Sequence, residues 1–204
     1  MNCLLIFGAG GHGRVVADAA LLAGHWRRLL ASDRNPARCS GELLAGVALL
    51  RPEEAAAAAA TAVHVAIGNA ASREKEVAAL AAGVLTTVVH PRATVSAQAQ
   101  VAPGCFIAAQ AVVAPGARLG TAVIVNHGAV VDHDVTVGDF SHIAPLAALG
   151  GGVQIGRRVL VGTGASILPG VRVGDDVVIG AGAVVLDHVP EPGSYAGVPA
   201  RRVA

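Results

Sequence analysis

Val101–Thr136 reads VAPGCF, IAAQAV, VAPGAR, LGTAVI, VNHGAV, VDHDVT when cut at every sixth place. Each unit opens on Val, Ile or Leu, and its fifth place holds a small or β-branched residue such as Cys105, Ala117 or Val135. The same register runs without a gap from Val89 to Pro190, seventeen units in all. A fixed hexad period with one aliphatic and one small position predicts a parallel β-helix of hexapeptide repeats. Three units make one triangular coil, so five to six coils are expected. Residues three hexads apart then lie nearly above one another, at roughly the 4.8 Å strand spacing. The ends of such a stack are sheet edges that need covering.

Upstream of the repeats the pattern changes. Cys3–Phe7 is a short apolar strand ending in Gly8-Ala9-Gly10-Gly11-His12-Gly13. A helix is expected from about Arg14 to Ala23, with Val15, Val16, Ala19 and Leu22 on its apolar side and Gly24 as its stop. Leu29–Ser32 reads as a second strand, leading into Asp33-Arg34-Asn35-Pro36. Pro52 opens a helix through the alanines to Ala60, Ala62–Ile67 reads as a third strand closed by Gly68-Asn69, and Arg73–Ala82 as a third helix. Strand, glycine turn and helix recur, which predicts a small open parallel sheet. The expected division is a Rossmann-like α/β domain over 1–85, a β-helix over 86–190 and a capping tail over 191–204.

Gly8, Gly10 and Gly13 match G-x-G-x-x-G between a strand and a helix. Asp33 follows the last of these glycines at the distance where a ribose-binding acid would sit. Read literally this is a dinucleotide site. The sheet is too short for one, with no second mononucleotide half, so a nucleotide or nucleotide-sugar site is the better reading. The alternative is glycines that merely allow a tight turn.

The net charge of +1 implies no polyanionic or polycationic partner, and without a basic stripe or aromatic set nucleic acid is not expected. Cys3, Cys39 and Cys105 have neither metal nor disulfide spacing, which favours a reducing compartment. There is no signal core and no apolar run of roughly 18 residues. A soluble cytoplasmic protein without a membrane partner is expected.

Within the repeats, polar residues concentrate at Asn126, His127, Asp132, His133, Asp134, Asp139 and His142. His133 beside Asp134 is a base next to a carboxylate able to hold its tautomer. Adjacent strand residues point apart, so the pair meets only at a bend, which a coil corner supplies. Gly151 comes three hexads after His133, hence one coil above, where its N–H is a candidate oxyanion donor. His142 is open between ligand contact and an interface role. The i,i+6 and i,i+9 spacings of these histidines converge poorly, so no metal is expected. Solenoids of this kind mostly carry acyl transfer.

These motifs together resemble the left-handed β-helix sugar acetyltransferases of bacterial surface-glycan pathways. The likeness rests on Ile6–Gly13, Ala66–Asn69, His90-Pro91, Val131–Asp134, Gly138–Pro145 and Gly197–Arg201, and spans nearly the whole chain. It is nearest to enzymes that acetylate nucleotide-linked 4-amino sugars and to sialic acid O-acetyltransferases. The resemblance implies a left-handed coil and a homotrimer with sites between subunits. It implies that Gly10, Gly11, His12, Asp33, Arg34 and Gly68 hold the nucleotide sugar. His133 would be the base, with Asp134 raising its basicity and Gly151 near the thioester oxygen. His142, Thr163 and Ala181, with Asn126 grouped beside them, would contact acetyl-CoA. The implied activity is acetyl-CoA-dependent N-acetylation of a UDP- or GDP-linked 4-amino-deoxysugar, without a metal. The alternative is O-acetylation of sialic acid or another sugar hydroxyl.

Overall fold

The computed structural model describes residues 2–58, 60–81 and 83–203. The chain divides into two compact units, Met1–Pro91 and Arg92–Ala204.

The first unit is built on a five-stranded sheet. Its strands are β1 (Cys3–Phe7), β2 (Arg28–Ser32), β3 (Glu42–Leu44), β4 (Val47–Leu49) and β5 (Ala62–Val65), in the order β3-β4-β2-β1-β5. All pairings are parallel except β3 with β4, an antiparallel hairpin that adds an edge to the expected parallel sheet. Its turn is Ala45-Gly46, with Gly46 at φ +85. Leu4 and Ile6 on β1, which is paired on both sides, are fully buried, which is why β1 reads as an unbroken apolar run.

Three helices join the strands: α1 (Gly11–Ala23), α2 (Pro52–Ala57) and α3 (Ala70–Ala78). Helix α1 begins at Gly11, ahead of the expected Arg14, and ends, as expected, at Gly24 in a left-handed cap. Its buried side is Gly13, Val16, Ala17, Ala19 and Ala20, whereas Leu22 is 58% exposed. The expected face is therefore rotated: small residues, not Leu22, let the helix axis come close to the sheet. Helix α2 stops at Ala57, β5 stops at Val65, and α3 starts at Ala70 behind an Asn69 cap whose side chain accepts from Ser72 N–H at 2.9 Å. Of the expected helical spans, Ala59 and Ala82 lie outside the described residues.

The second unit is a left-handed parallel β-helix. Its very short strands pair in parallel with the strands one coil on: Val112 with Val130, Arg118 with Thr136, Ile124 with His142. The aliphatic and small positions of the hexad both point inward and form one core, from Cys105 and Ile107 to Val185 and Val189. Buried Ser141 occupies a small position because its hydroxyl is satisfied, donating to Gly156 O at 2.8 Å and accepting from Val159 N–H at 3.0 Å.

A third feature of the hexad is its corner. Every sixth residue from Gly104 to Gly182 has positive φ, and seven of them are not glycine: Gln110, Ala122, Asp134, Phe140, Leu146, Arg158 and Asp176. Each non-glycine corner costs roughly 1 kcal/mol or more of backbone strain, which the surrounding coil hydrogen bonds hold in place. After the last coil, Gly193–Ala196 pairs in parallel with Val177–Ile179, and Arg201–Val203 returns antiparallel beside it. No helix among the described residues is long and apolar enough to cross a membrane.

Candidate active site

Asp134 occupies one of these strained corners, at φ +60. The bend turns its carboxylate back onto its neighbour, so His133 Nδ1–H donates to Asp134 Oδ2 at 2.9 Å. Asp132 Oδ1 accepts the His133 backbone N–H at 2.7 Å. With Nδ1 engaged, the imidazole lone pair is on Nε2. The Asp134 hydrogen bond, and then the Asp132 charge, raise the His133 pKa above the ordinary 6.5.

Gly151 is where the coil period places it. A Cβ built on Gly151 would lie 2.4 Å from His133 Nε2 and 2.5 Å from Cε1, so the ring rests against the bare backbone of the coil above. At four equivalent corners a side chain takes the N–H: Thr121 by Asp139, His127 by Asn126, His133 by Asp132 and Arg157 by Asp175. Gly151 is preceded by Gly150 and overlain by Pro169, neither of which offers a side-chain acceptor. Neither neighbour therefore supplies its N–H with a side-chain acceptor.

Asn126 and His142 form a second cluster. Asn126 Oδ1 accepts His127 N–H at 2.8 Å, which orients the amide so that Nδ2 donates to His142 Nε2 at 3.1 Å. Thr163 and Ala181 are exposed corner residues stacked one coil apart in the column of His127. The edge carrying Asn126, Thr163 and Ala181 and the edge carrying His133, Asp134 and Gly151 are separated by the strand face of Val130–Val131. One coil therefore does not bring the two sets together.

The six residues expected to hold a nucleotide sugar line a single cavity of about 520 Å³ in the first unit. The glycines divide by role. Gly8, at φ +120, would place a Cβ 2.6 Å from Ala66 O, and a Cβ on Gly13 would lie 1.9 Å from Gly8 O. Both are required by packing. A Cβ on Gly11 meets nothing within 4 Å, and one on Gly10 only Arg38 Nη1 at 3.8 Å. Helix α1 has no side-chain cap and no acid in its first turn, so its N-terminal N–H groups and positive dipole end face the cavity.

Asp33 is already engaged: Oδ2 accepts Ala9 N–H and Oδ1 accepts Asn35 N–H, each at 2.9 Å. It braces the glycine turn besides lining the cavity. Arg34 pairs with Glu76. Arg38, Ser72, Lys75 and Glu76 also line the cavity and were not foreseen. Ser72, Lys75 and Glu76 share one face of α3 at helical spacing, a signal readable in the sequence once the helix is started at Ala70. Behind them, buried Arg73 donates through Nη1 to Ile67 O at 2.7 Å and Gly68 O at 2.9 Å, fixing the turn that closes the cavity. Buried His64 on β5 bonds through Nδ1 to Thr86 O at 2.9 Å, and burial pushes its pKa down to about 4.

Residues 3–80 match the PglD N-terminal domain family, and residues 152–187 match the bacterial transferase hexapeptide (six repeats) family. The acetyltransferase domain of PglB from Neisseria gonorrhoeae, solved also in complex with acetyl coenzyme A, is 35% identical over 100% of both chains, with a TM-score of 0.92. PerB from Caulobacter crescentus, solved in complex with CoA and GDP-perosamine, is 31% identical over 100% of this chain and 98% of that one, with a TM-score of 0.91.

Proposed function

Because the chain belongs to the hexapeptide-repeat sugar N-acetyltransferases with a PglD-type N-terminal domain, we propose that it moves the acetyl group of acetyl-CoA onto the amine of a nucleotide-linked amino sugar. The observation that carries this is the His133 corner: a largely exposed imidazole with a carboxylate on Nδ1 and its Nε2 side against the bare backbone of Gly151. A sugar amine is mostly protonated near neutral pH and must shed a proton to attack. His133 Nε2 takes that proton, and Asp134 stabilises the imidazolium. The amine nitrogen bonds to the thioester carbonyl carbon, and the oxyanion is met by Gly151 N–H. The C–S bond breaks, the thiolate takes the proton held by His133, and the nitrogen releases its second proton to solvent, leaving a neutral amide.

The cavity lined by Gly10, Gly11, His12, Asp33, Arg34 and Gly68 is assigned to the nucleotide sugar, with the diphosphate at the α1 N-terminus. The domain over 1–85 would thus hold the acceptor, the coils over 86–190 the donor, and the tail over 191–204 would cap the stack. Asn126, His142, Thr163 and Ala181 are assigned to acetyl-CoA. They lie on a different edge from His133, so the reading requires a second copy to complete each site, and a homotrimer supplies it. Outward residues agree: two faces carry Val112, Val130 and Val184, or Leu160 and Val178, while the third carries Gln100, Arg118, Thr136, Gln154 and Arg172. The reading places the protein in a reducing compartment, where its free Cys3, Cys39 and Cys105 persist.

The test is thiol release from acetyl-CoA with UDP- and GDP-linked amino sugars, set against their hydroxyl counterparts and free sialic acid. Release with an amino sugar and not its hydroxyl counterpart is expected. Release with hydroxyl acceptors alone would replace N- by O-acetylation. Light scattering should give three times the chain mass.

A further inference from the structure

Asp134 is 74% exposed, so nothing around it except its own geometry holds the carboxylate on His133. The rotamer that reaches Nδ1 places the other oxygen, Oδ1, directly over the coil below. A Cβ built on Gly116 would lie 2.4 Å from Oδ1 and 3.4 Å from Cγ. Gly116 stands one coil before Asp134 in the same corner column, at φ +75. The fold does not demand glycine there. Ala122 and Phe140 occupy corners on successive coils of the next column, as do Arg158 and Asp176 above them. Nor does Asp134 demand glycine above it: a Cβ on Gly152 meets nothing within 4 Å.

We propose that Gly116 is a positioning residue for the base: by lacking a side chain it leaves the space in which the Asp134 carboxylate lies while bonded to His133 Nδ1. This rests on His133 being the base. The groups facing the His133–Asp134 pair are Asp132 on its own corner, Pro115 and Gly116 below, and Gly151 and Gly152 above; of these only Asp132 is charged. Filling the space at 116 drives the carboxylate off Nδ1. It leaves His133 with Asp132 alone and frees the imidazole to take either tautomer.

The experiment compares Gly116→Ala, Asp134→Asn, their combination, and Gly170→Ala. Gly170 has the same backbone strain, at φ +73, but a Cβ there meets nothing within 4 Å. The readouts are the acid limb of kcat/KM against pH and the NMR titration of the His133 ring, identified by its loss in His133→Ala. Gly116→Ala should move both down toward 6.5, as should Asp134→Asn. It should lower kcat at neutral pH by roughly 10–10²-fold, the scale of losing the hydrogen-bond partner that orients a metal-binding histidine. The double variant should go no further than Asp134→Asn, and Gly170→Ala should move neither readout. Gly116→Asn, a side chain that tolerates the left-handed region, repeats the test if the alanine variant misfolds. A wild-type titration in Gly116→Ala, or an added shift in the double variant, overturns the proposal. Wild-type turnover in His133→Ala instead overturns the base assignment, and the ring titration still decides whether Gly116 positions Asp134.

Discussion

Acidification should weaken the first unit by a calculable amount through His64. The ring is fully buried on β5, and burial, with Arg73 adding a smaller repulsion, holds its pKa at about 4 against an ordinary 6.5. The folded value is the lower one. Above pH 6.5 the ring is neutral in both states, and this term costs nothing. As pH falls below 6.5 the unfolded chain takes up a proton that the folded chain refuses, so stability is lost until pH reaches about 4. At about 1.36 kcal/mol per pH unit, the loss is about 2 kcal/mol by pH 5 and about 3 kcal/mol by pH 4. Carboxylates titrate in the same range, so the measurement is a difference. His64→Asn retains an N–H that can reach Thr86 O and removes the titration. Trp26 is the single tryptophan of the chain and lies in the first unit, so its fluorescence in urea follows that unit. The wild type should lose about 2 kcal/mol more than His64→Asn between pH 7 and pH 5. Equal losses would refute the reasoning. Nucleotide binding should fall in parallel, because β5 leads into the Ile67-Gly68 turn that Arg73 fixes.

His133→Ala should lower kcat by roughly 10²–10⁴, the worth of a general base, while leaving CoA affinity unchanged by calorimetry. With an amine acceptor, raising pH should partly restore this variant, and in the wild type the acid limb should lie above 6.5, because His133 is raised by Asp134. Gly151→Ala should fold normally, since its φ is ordinary, yet lose most of kcat in a thiol-release assay, because its Cβ falls 2.4 Å from Nε2. Gly11→Val should keep its melting temperature and its CoA affinity but lose nucleotide-sugar binding by calorimetry; loss of CoA binding instead would exchange the two sites.

The coil was readable because a β-helix writes its inward positions into the sequence at a strict period. Val, Ile or Leu at the first place and a small residue at the fifth both reached the core. The corner position was not readable from residue type. Half of it is glycine and the rest ranges over Gln, Ala, Asp, Phe, Leu and Arg, because the backbone bond pattern, not the side chain, sets the left-handed turn. In the first unit the hairpin Glu42–Leu49 was hidden by its brevity, since such short strands carry too little alternation to register. The start of α1 was hidden because Gly11 and Gly13 have the poorest helix propensity short of proline, while Arg14 N–H already bonds Gly10 O at 3.1 Å. The dinucleotide motif, set aside above because the sheet is short, is weak evidence for a related reason. Gly8 and Gly13 answer to Ala66 O and Gly8 O, so much of the fingerprint records strand–helix packing that any such turn requires.

The same coil arithmetic that placed Gly151 above His133 also places Gly116 below Asp134, yet only the first followed from looking for a donor. A donor is a chemical feature that can be named in advance. Empty space is not: its use appears only when a side chain is seen lying in it. In the proposed reading both glycines serve the base by absence, Gly151 for the imidazole and Gly116 for the carboxylate, and neither substitution touches the core cluster. Their loss should therefore separate from loss of fold, which a core change such as Val131→Ala, removing a fully buried side chain next to the corner, would not do. If Gly151→Ala and Gly116→Ala both keep the wild-type melting temperature within a few degrees while kcat falls, the corner is a device for placing two side chains. If melting temperature and kcat fall together, the glycines serve the coil first, and the placement of His133 follows from it.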